Sequence, residues 1–417
     1  MGQRIAVIGT GISGLVAARE LARDHELTIF EAASWVGGHT NTIDVVEDGR
    51  TVPVDTGFIV FNERTYPNFV RLLAELGVAS RASTMSFSVR CEKTGLEWAS
   101  MSLDAFFAQR TNVVRPRFLN MLREILRFNR ESRELLGPGD DPTLGEYLAK
   151  KGFSRTFVDL YIVPIGASIW SAPPGRFEDI PARFFVRFFE NHGMNTVFDM
   201  PIWRTIVGGS RCYVKPLVQT FRDRIRLDCP VSSVRRHPDR VEVTSRAGTE
   251  SFDEVVIATH SDQALRLLAD PTPAEREVLS AIPYQENEAV LHTDTSLLPR
   301  ARRAWASWNY RVPRDGTNRV SVTYDMNILQ GLETRETYCV TLNRTEAVDP
   351  TKIKKRIVYH HPVFSRASVA AQARHAEISN HARRTHFCGA YWGYGFHEDG
   401  VKSGLAVARS FATELVA

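Results

Sequence analysis

Gly9, Gly11 and Gly14 follow the apolar run RIAVIG with the spacing GxGxxG, and the stretch ISGLVAARELARD then sets Ile12, Leu15, Val16, Ala18 and Leu21 on one helical face. In a strand–turn–helix unit the first glycine permits the tight turn, the second lets a pyrophosphate approach the backbone, and the third lets helix and strand touch. The helix start, at Ile12 and Ser13, offers free amides and the positive end of the helix dipole. A second strand, LTIFE, ends on Glu31, followed by Ala32, at the distance where an acidic side chain accepts hydrogen bonds from a ribose. Glu31 would repel a 2′-phosphate and no arginine follows it, which disfavours NADP and leaves NAD and FAD. Gly37, Gly38, His39 and Thr40 then arrive where a nicotinamide dehydrogenase would continue into another helix. A loop there reaches back along the same pyrophosphate and towards a ring system, which suits an extended FAD.

A chain of 417 residues is long for one core, so two or three domains, or two interleaved ones, are expected. Its 43% hydrophobic content is that of a globular protein, and no apolar run approaches the roughly 18 residues of a spanning helix. The start MGQRIAVIG passes straight into a strand, so a cytoplasmic protein is expected. Cys91, Cys212, Cys229, Cys339 and Cys388 lie far apart, with no CxxC pair and no zinc-finger spacing, so packed thiols and no metal are expected. The formal charge of +4 is small for this size, although no lysine occurs between Lys215 and Lys352. Nucleic acid is not an expected partner.

The GxGxxG turn, Glu31, the Gly37-Gly38 pair and VDTGFIVF resemble the N-terminal region of the flavin-containing amine oxidase superfamily, with protoporphyrinogen oxidases and phytoene desaturases. GGHTNT, DTGFIVFNERTYPNF and GYGFHEDGVKSG are most similar to bacterial FAD-binding proteins associated with cyclopropane fatty acid synthases and to the oxidase-like region of plant cyclopropane synthases. The resemblance spans nearly the whole chain. It implies an α/β fold in which a Rossmann-like FAD-binding domain of glutathione-reductase type (1–60, 204–262, 384–417) is interleaved with an α+β substrate domain (61–203, 263–383). Two departures bear on mechanism: His39 stands where the superfamily usually has arginine, and the strand aligned with ENEAVLHTD lacks the usual lysine near the flavin. Amine oxidation of the usual kind is disfavoured by the second. His292 lies on that strand and is expected to face outward.

The segment 52–61 reads as a strand passing beneath the flavin, with Asp55 a hydrogen-bonding residue rather than a catalyst and Thr56 and Gly57 beside it. In RPRFLNMLREILRFNRESRELL, Phe118, Leu122, Ile125 and Leu126 share a face while Arg115, Arg117, Arg123, Arg127, Arg130 and Arg133 crowd the rest. That pattern reads as an amphipathic helix with a solvated basic side, or as one in contact with anionic phospholipid at the inner membrane face. In PARFFVRFFENHG, Phe184, Phe185, Phe188 and Phe189 fit an apolar channel, a bilayer contact or a buried helix. Gly208 and Gly209 resemble the superfamily's middle motif, the resemblance implies that Val231 falls where the family's backbone contacts adenine, and NRVSVTYDM reads as a sheet strand.

At the C-terminus a strand ends near Cys388, Gly389 follows, and a helix is expected from about Val401. The resemblance implies that the amides of Gly400 and Val401 face the flavin N1/O2 edge and that Tyr391 and Trp392 approach flavin and substrate, with Tyr394 and Phe396 nearby. Asp399 reads as an N-cap, Glu398 as a residue near ribityl or phosphate groups, and His397 as the proton-transfer candidate. Three functions stay open: an FAD-dependent oxidoreductase acting on an apolar substrate such as a membrane-lipid acyl chain, an amine or amino-acid oxidase, and a non-catalytic flavoprotein partner of a lipid methyltransferase.

Overall fold

A computed structural model describes residues 2–196, 200–314 and 319–414. Its centre is a parallel five-stranded sheet in the order Ile225–Arg226, Glu26–Phe30, Arg4–Ile8, Glu254–Ile257 and Thr385–Phe387. The strands are near-continuous apolar runs because both faces are covered. Ile5 and Val7 face the helix Ile12–Leu21. Ala6 and Ile8 face the antiparallel meander Val231–Arg236, Val241–Ser245 and Gly248–Phe252. This is the expected Rossmann-like domain. The C-terminal helix, His397–Glu414, lies along the first helix, and glycine sets the approach: a Cβ on Gly404 would sit 2.4 Å from the Ser13 carbonyl, and one on Gly400 2.6 Å from Ile12. The helix begins at His397 rather than Val401, so its first turn includes the three polar residues expected just ahead of it.

A seven-stranded mixed sheet forms the second body, in the order Ile353–Pro362, Tyr284–His292, Cys339–Leu342, Val322–Asp325, Trp308–Val312, Phe87–Cys91 and Leu96–Ala99. Helices including Pro116–Glu131 and Ala182–Asn191 pack with it into one core. The predicted strand 318–326 is shorter than expected, Val322–Asp325, and residue 318 lies outside the described residues.

Three stretches assigned by sequence to the substrate domain pack in the cores of the parallel sheet. Phe61, Tyr66, Phe69, Leu72 and Leu73, assigned by sequence to the substrate domain, join the core of the first helix. Ala264, Val278, Leu279 and Ile282 join the meander side of the parallel sheet, as do Ala371 and Ile378. The cause is apolar complementarity over short connections: the helix Pro67–Glu75 buries Phe69, Leu72 and Leu73, and the uncovered flank of the parallel sheet is adjacent.

On Pro116–Glu131 the buried residues are Phe118, Met121, Glu124 and Phe128, while Leu126, expected inside, is 63% exposed. The inner face is rotated because Phe128 anchors it among Tyr147, Phe153, Phe157, Phe185 and Phe189. All four phenylalanines of Ala182–Asn191 are buried, so their rings belong to the core.

Candidate active site

The glycine turns come together at the C-terminal end of the parallel strands. Gly9 has φ +104°, and a Cβ there would lie 2.8 Å from the Ala258 carbonyl. One on Gly14 would lie 2.1 Å from the Gly9 carbonyl, so helix and strand touch as the motif predicts. Gly11 is different: it is the N-cap of the first helix, its missing side chain faces space with nothing within 4 Å, and no side chain caps the helix amides. Gly38 closes the other side, its would-be Cβ 3.2 Å from Gly11 Cα. An uncapped helix start between two glycine backbones is a cradle for a diphosphate.

Glu31 fixes the turn from below, accepting from the amide and hydroxyl of Thr10 and from the Ala33 amide next to Ala32. Its backbone carbonyl accepts from Cys229, which brings the start of Val231–Arg236, and so Val231, to the same edge. Behind the Gly37-Gly38 loop, the chain at His39 and Asn41 pairs with 56–58, and Gly57 is needed because a Cβ would strike the His39 carbonyl at 2.3 Å. Thr56 donates to the Asn41 carbonyl and meets Tyr359 Oη at 2.8 Å.

Asp55 has the expected structural role. Fully buried, it accepts from Thr42 at 2.6 Å, from the Ser210 amide and hydroxyl at 2.8 Å each, and from Gln330 Nε2 at 3.2 Å. Burial pushes its pKa up to about 6 against these donors. Asp55 thereby ties the Gly208-Gly209 turn to the strand under the glycine cradle.

The C-terminal residues depart from expectation. His397 is buried, stacks on Phe58, and turns Nε2 towards Tyr213 Oη at 2.8 Å and Thr40 Oγ1 at 3.3 Å. Burial lowers its pKa to about 3, so the expected proton carrier is a neutral ring at pH 7. Glu398, expected near ribityl or phosphate groups, accepts from the amides of Asn68 and Phe69 and from Asn68 Nδ2, capping the helix Pro67–Glu75. Asp399 is no N-cap, because the helix starts earlier; its carboxylate reaches back to the amides of Tyr394 and Phe396. The Gly400 amide is donated to the Phe396 carbonyl and Val401 lies inside the helix, so the amides that this terminus leaves open belong to His397, Glu398 and Asp399.

The aromatic loop divides. Tyr391 is 1% exposed in the meander-side core, edge-on to Tyr284, and Trp392 meets His375; Gly389 lacks room for a Cβ because the Tyr391 ring lies 2.3 Å away. The rings of Tyr391 and Trp392 lie 4.9 Å apart. Tyr394 and Phe396 turn the other way, against Phe184 at 4.6 Å and Phe188 at 5.2 Å, and Trp170 donates to the Tyr394 carbonyl.

A histidine cluster was not foreseen. His39 stacks on Tyr359 at 4.8 Å and approaches His361 at 5.4 Å and His260 at 6.4 Å, while His260 stacks on Tyr284 and nears His360. Burial first, then mutual repulsion, lowers His39 to about 4 and His260 and His361 to about 3. These three rings are neutral at pH 7, and His39 Nε2 is buried without a partner. His39 thus offers a hydrogen bond where arginine would bring charge. Asn287, on the strand without lysine, faces the same group, 2.9 Å from His361 Nδ1. His292 is buried rather than outward, held by Thr341 and the Asp294 amide. The paired His360-His361 was the available signal in the sequence.

The profile described as flavin containing amine oxidoreductase matches residues 12–302. The chain belongs to this family. FAD is accordingly its cofactor, and the open Gly11 cradle and the orphaned His39 Nε2 fit such a group. Among its relatives, the L-amino-acid oxidase of Pseudechis australis is 23% identical over 317 residues, 70% of this chain and 57% of that protein. The chain spans about three fifths of the length of the curated relatives it matches. Cyclohexylamine oxidase from Brevibacterium oxydans IH-35A shares the fold, with a TM-score of 0.71, 17% identity and full coverage of both chains. So does the fatty acid isomerase of P. acnes that produces CLA, with a TM-score of 0.68, 16% identity, and 98% and 99% of the two chains covered. Family membership explains the diphosphate cradle; it leaves the substrate to the residues around it.

Proposed function

We propose that this protein is an FAD-dependent oxidoreductase acting on an apolar substrate, a fatty acyl chain of membrane lipid. The observation that carries the reading is the junction of the C-terminal flavin motif with the phenylalanine-rich helix, where Tyr394 and Phe396 meet Phe184 and Phe188. Trp170 and Phe364 extend it, giving a wall of aromatic rings. The strand beside it presents Asn287 instead of lysine. FAD, when bound, supplies the two-electron acceptor. The glycine cradle would hold its diphosphate, Glu31 would receive its ribose, neutral His39 would offer one hydrogen bond, and the aromatic wall would orient the chain and exclude water.

An exposed face supports a lipid surface as the source of substrate. Val113, Val114, Leu119 and Leu126 are exposed large apolar residues, interspersed with exposed Arg117, Arg123 and Arg130. Apolar groups set among arginines suit the interface of an anionic bilayer. No helix among the described residues is long and apolar enough to cross a membrane.

The test is anaerobic flavin spectroscopy. The FAD-replete protein is mixed with vesicles of saturated, unsaturated or cyclopropane-containing phospholipid, and in parallel with a panel of amines and amino acids. Bleaching near 450 nm by an acyl lipid is expected; bleaching by amines alone would establish amine oxidation instead, and no bleaching by any lipid would sink the acyl reading.

A further inference from the structure

We propose that Glu254, His381 and His386 form a divalent transition-metal site, remote from the flavin cradle. Glu254 opens the strand Glu254–Ile257, and His386 lies in Thr385–Phe387, so the cluster flanks the N-terminal end of the parallel sheet while the glycine turns occupy its C-terminal end. His381, in the short turn before that last strand, completes the set.

The three residues each bring one ligand atom within 4.8 Å of the others. His381 Nδ1 is 3.5 Å from Glu254 Oε1, and His386 Nε2 is 3.2 Å from Glu254 Oε2. A charge-assisted hydrogen bond between imidazolium and carboxylate closes to about 2.7–2.9 Å. Ligand atoms about 2.0–2.1 Å from a tetrahedral zinc ion are instead separated by roughly 3.3–3.4 Å. The two imidazole nitrogens face different oxygens of Glu254, and both separations are close to the ligand spacing around such an ion, the His386 contact being also a hydrogen bond.

The surroundings suit a bound cation. Glu254 and His386 are 2% and 1% exposed, so the carboxylate is held in a medium where a divalent charge is strongly attracted. The His381 side chain is 23% exposed at the outer side of the cluster. Phe411 packs against both imidazoles, at 4.8 Å and 4.6 Å, fixing their planes. Two imidazoles, one carboxylate and no thiolate form a donor set that takes zinc or another late divalent ion. The ion would clamp the His381 turn to two strands of the central sheet.

FAD-replete protein stripped with a chelator and dialysed is titrated with Zn²⁺ against a chromophoric competitor. One equivalent is expected to bind, and Glu254→Gln and His381→Ala each weaken binding by at least about tenfold while FAD content and far-UV circular dichroism are unchanged. His381→Ala keeps the test decisive where Glu254→Gln does not fold. Failure of the folded wild-type protein to bind zinc, or undiminished binding by His381→Ala, overturns the proposal. The readout needs no turnover and is independent of the substrate assigned to the flavin site.

Discussion

The imidazole of His397 lies flat on the ring of Phe58, with centroids 3.6 Å apart and 7° between the planes. Phe69 stands edge-on to both rings, and the imidazole's remaining polar contact is with Tyr213 and Thr40. A ring so enclosed loses the hydration that an imidazolium needs. Its resonances in a histidine-detected NMR titration are therefore expected not to move between pH 8 and pH 5. A shift with a midpoint near 6.5 would restore His397 as a proton carrier.

The buried imidazoles also set the acid stability. His39, His192 and His292 are lowered to about 4, and His260, His361 and His397 to about 3, each mainly by burial. Below pH 6.5 the unfolded chain takes up protons that these native rings refuse, so stability falls as pH drops towards 4, by up to roughly 1.4 kcal/mol per pH unit for each ring. Asp55, Asp325 and Asp399, raised to about 6, act in the opposite direction between pH 6 and 3.8 and offset part of the loss. Urea denaturation at pH 7.5, 6.5 and 5.5 should show the decline, and His361→Gln should flatten it.

Gly11 and Gly14 separate binding from folding. A Cβ on Gly11 meets nothing within 4 Å, so Gly11→Ala should leave the melting temperature of the FAD-free protein unchanged and weaken FAD binding by more than about tenfold. Gly14→Ala drives a methyl into the Gly9 carbonyl and should cost about 1–3 kcal/mol in the FAD-free protein. Equal effects on melting would show that Gly11 is a packing glycine.

Removing the Asp55 carboxylate strands the donors on Thr42, Ser210 and Gln330. Asp55→Ala is expected to lose about 3 kcal/mol or more, since several buried donors lose their acceptor together. Asp55→Asn keeps one acceptor oxygen and should lose less. Chemical denaturation at pH 7 ranks the two, and a milder alanine variant would contradict the network.

The exposed arginine and leucine face gives a separable prediction for membrane contact. Leu126→Glu with Arg123→Glu should change stability by less than about 0.5 kcal/mol per site, because both side chains are exposed. Sedimentation with anionic vesicles should drop several-fold while FAD content is retained. Undiminished sedimentation would remove this face from the lipid reading.

Much of the nucleotide domain was legible because its signals are local. The strand Arg4–Ile8, the GxGxxG turn and the first helix are adjacent in sequence, so apolar run, glycine spacing and helical period agree within about 20 residues. The inner face of Pro116–Glu131 was misjudged because the contacts that orient it come from Phe157, Phe185 and Phe189. Glu398 and Asp399 were misread for a related reason: with the helix starting four residues earlier, Glu398 caps Pro67–Glu75, and Asp399, expected to cap its own helix, accepts from the amides of Tyr394 and Phe396 just before it.

By itself, the sequence determined that a strand, three spaced glycines and a helix would make a diphosphate turn, because backbone sterics act over neighbouring residues. Only the tertiary structure decided that His39, His260 and His361 share one uncharged wall, that Asp55 belongs to Ser210, and that Tyr391 and Tyr394 face different cores. Those outcomes depend on which surfaces meet across two sheets, and on the burial that sets each charge, which no local pattern records.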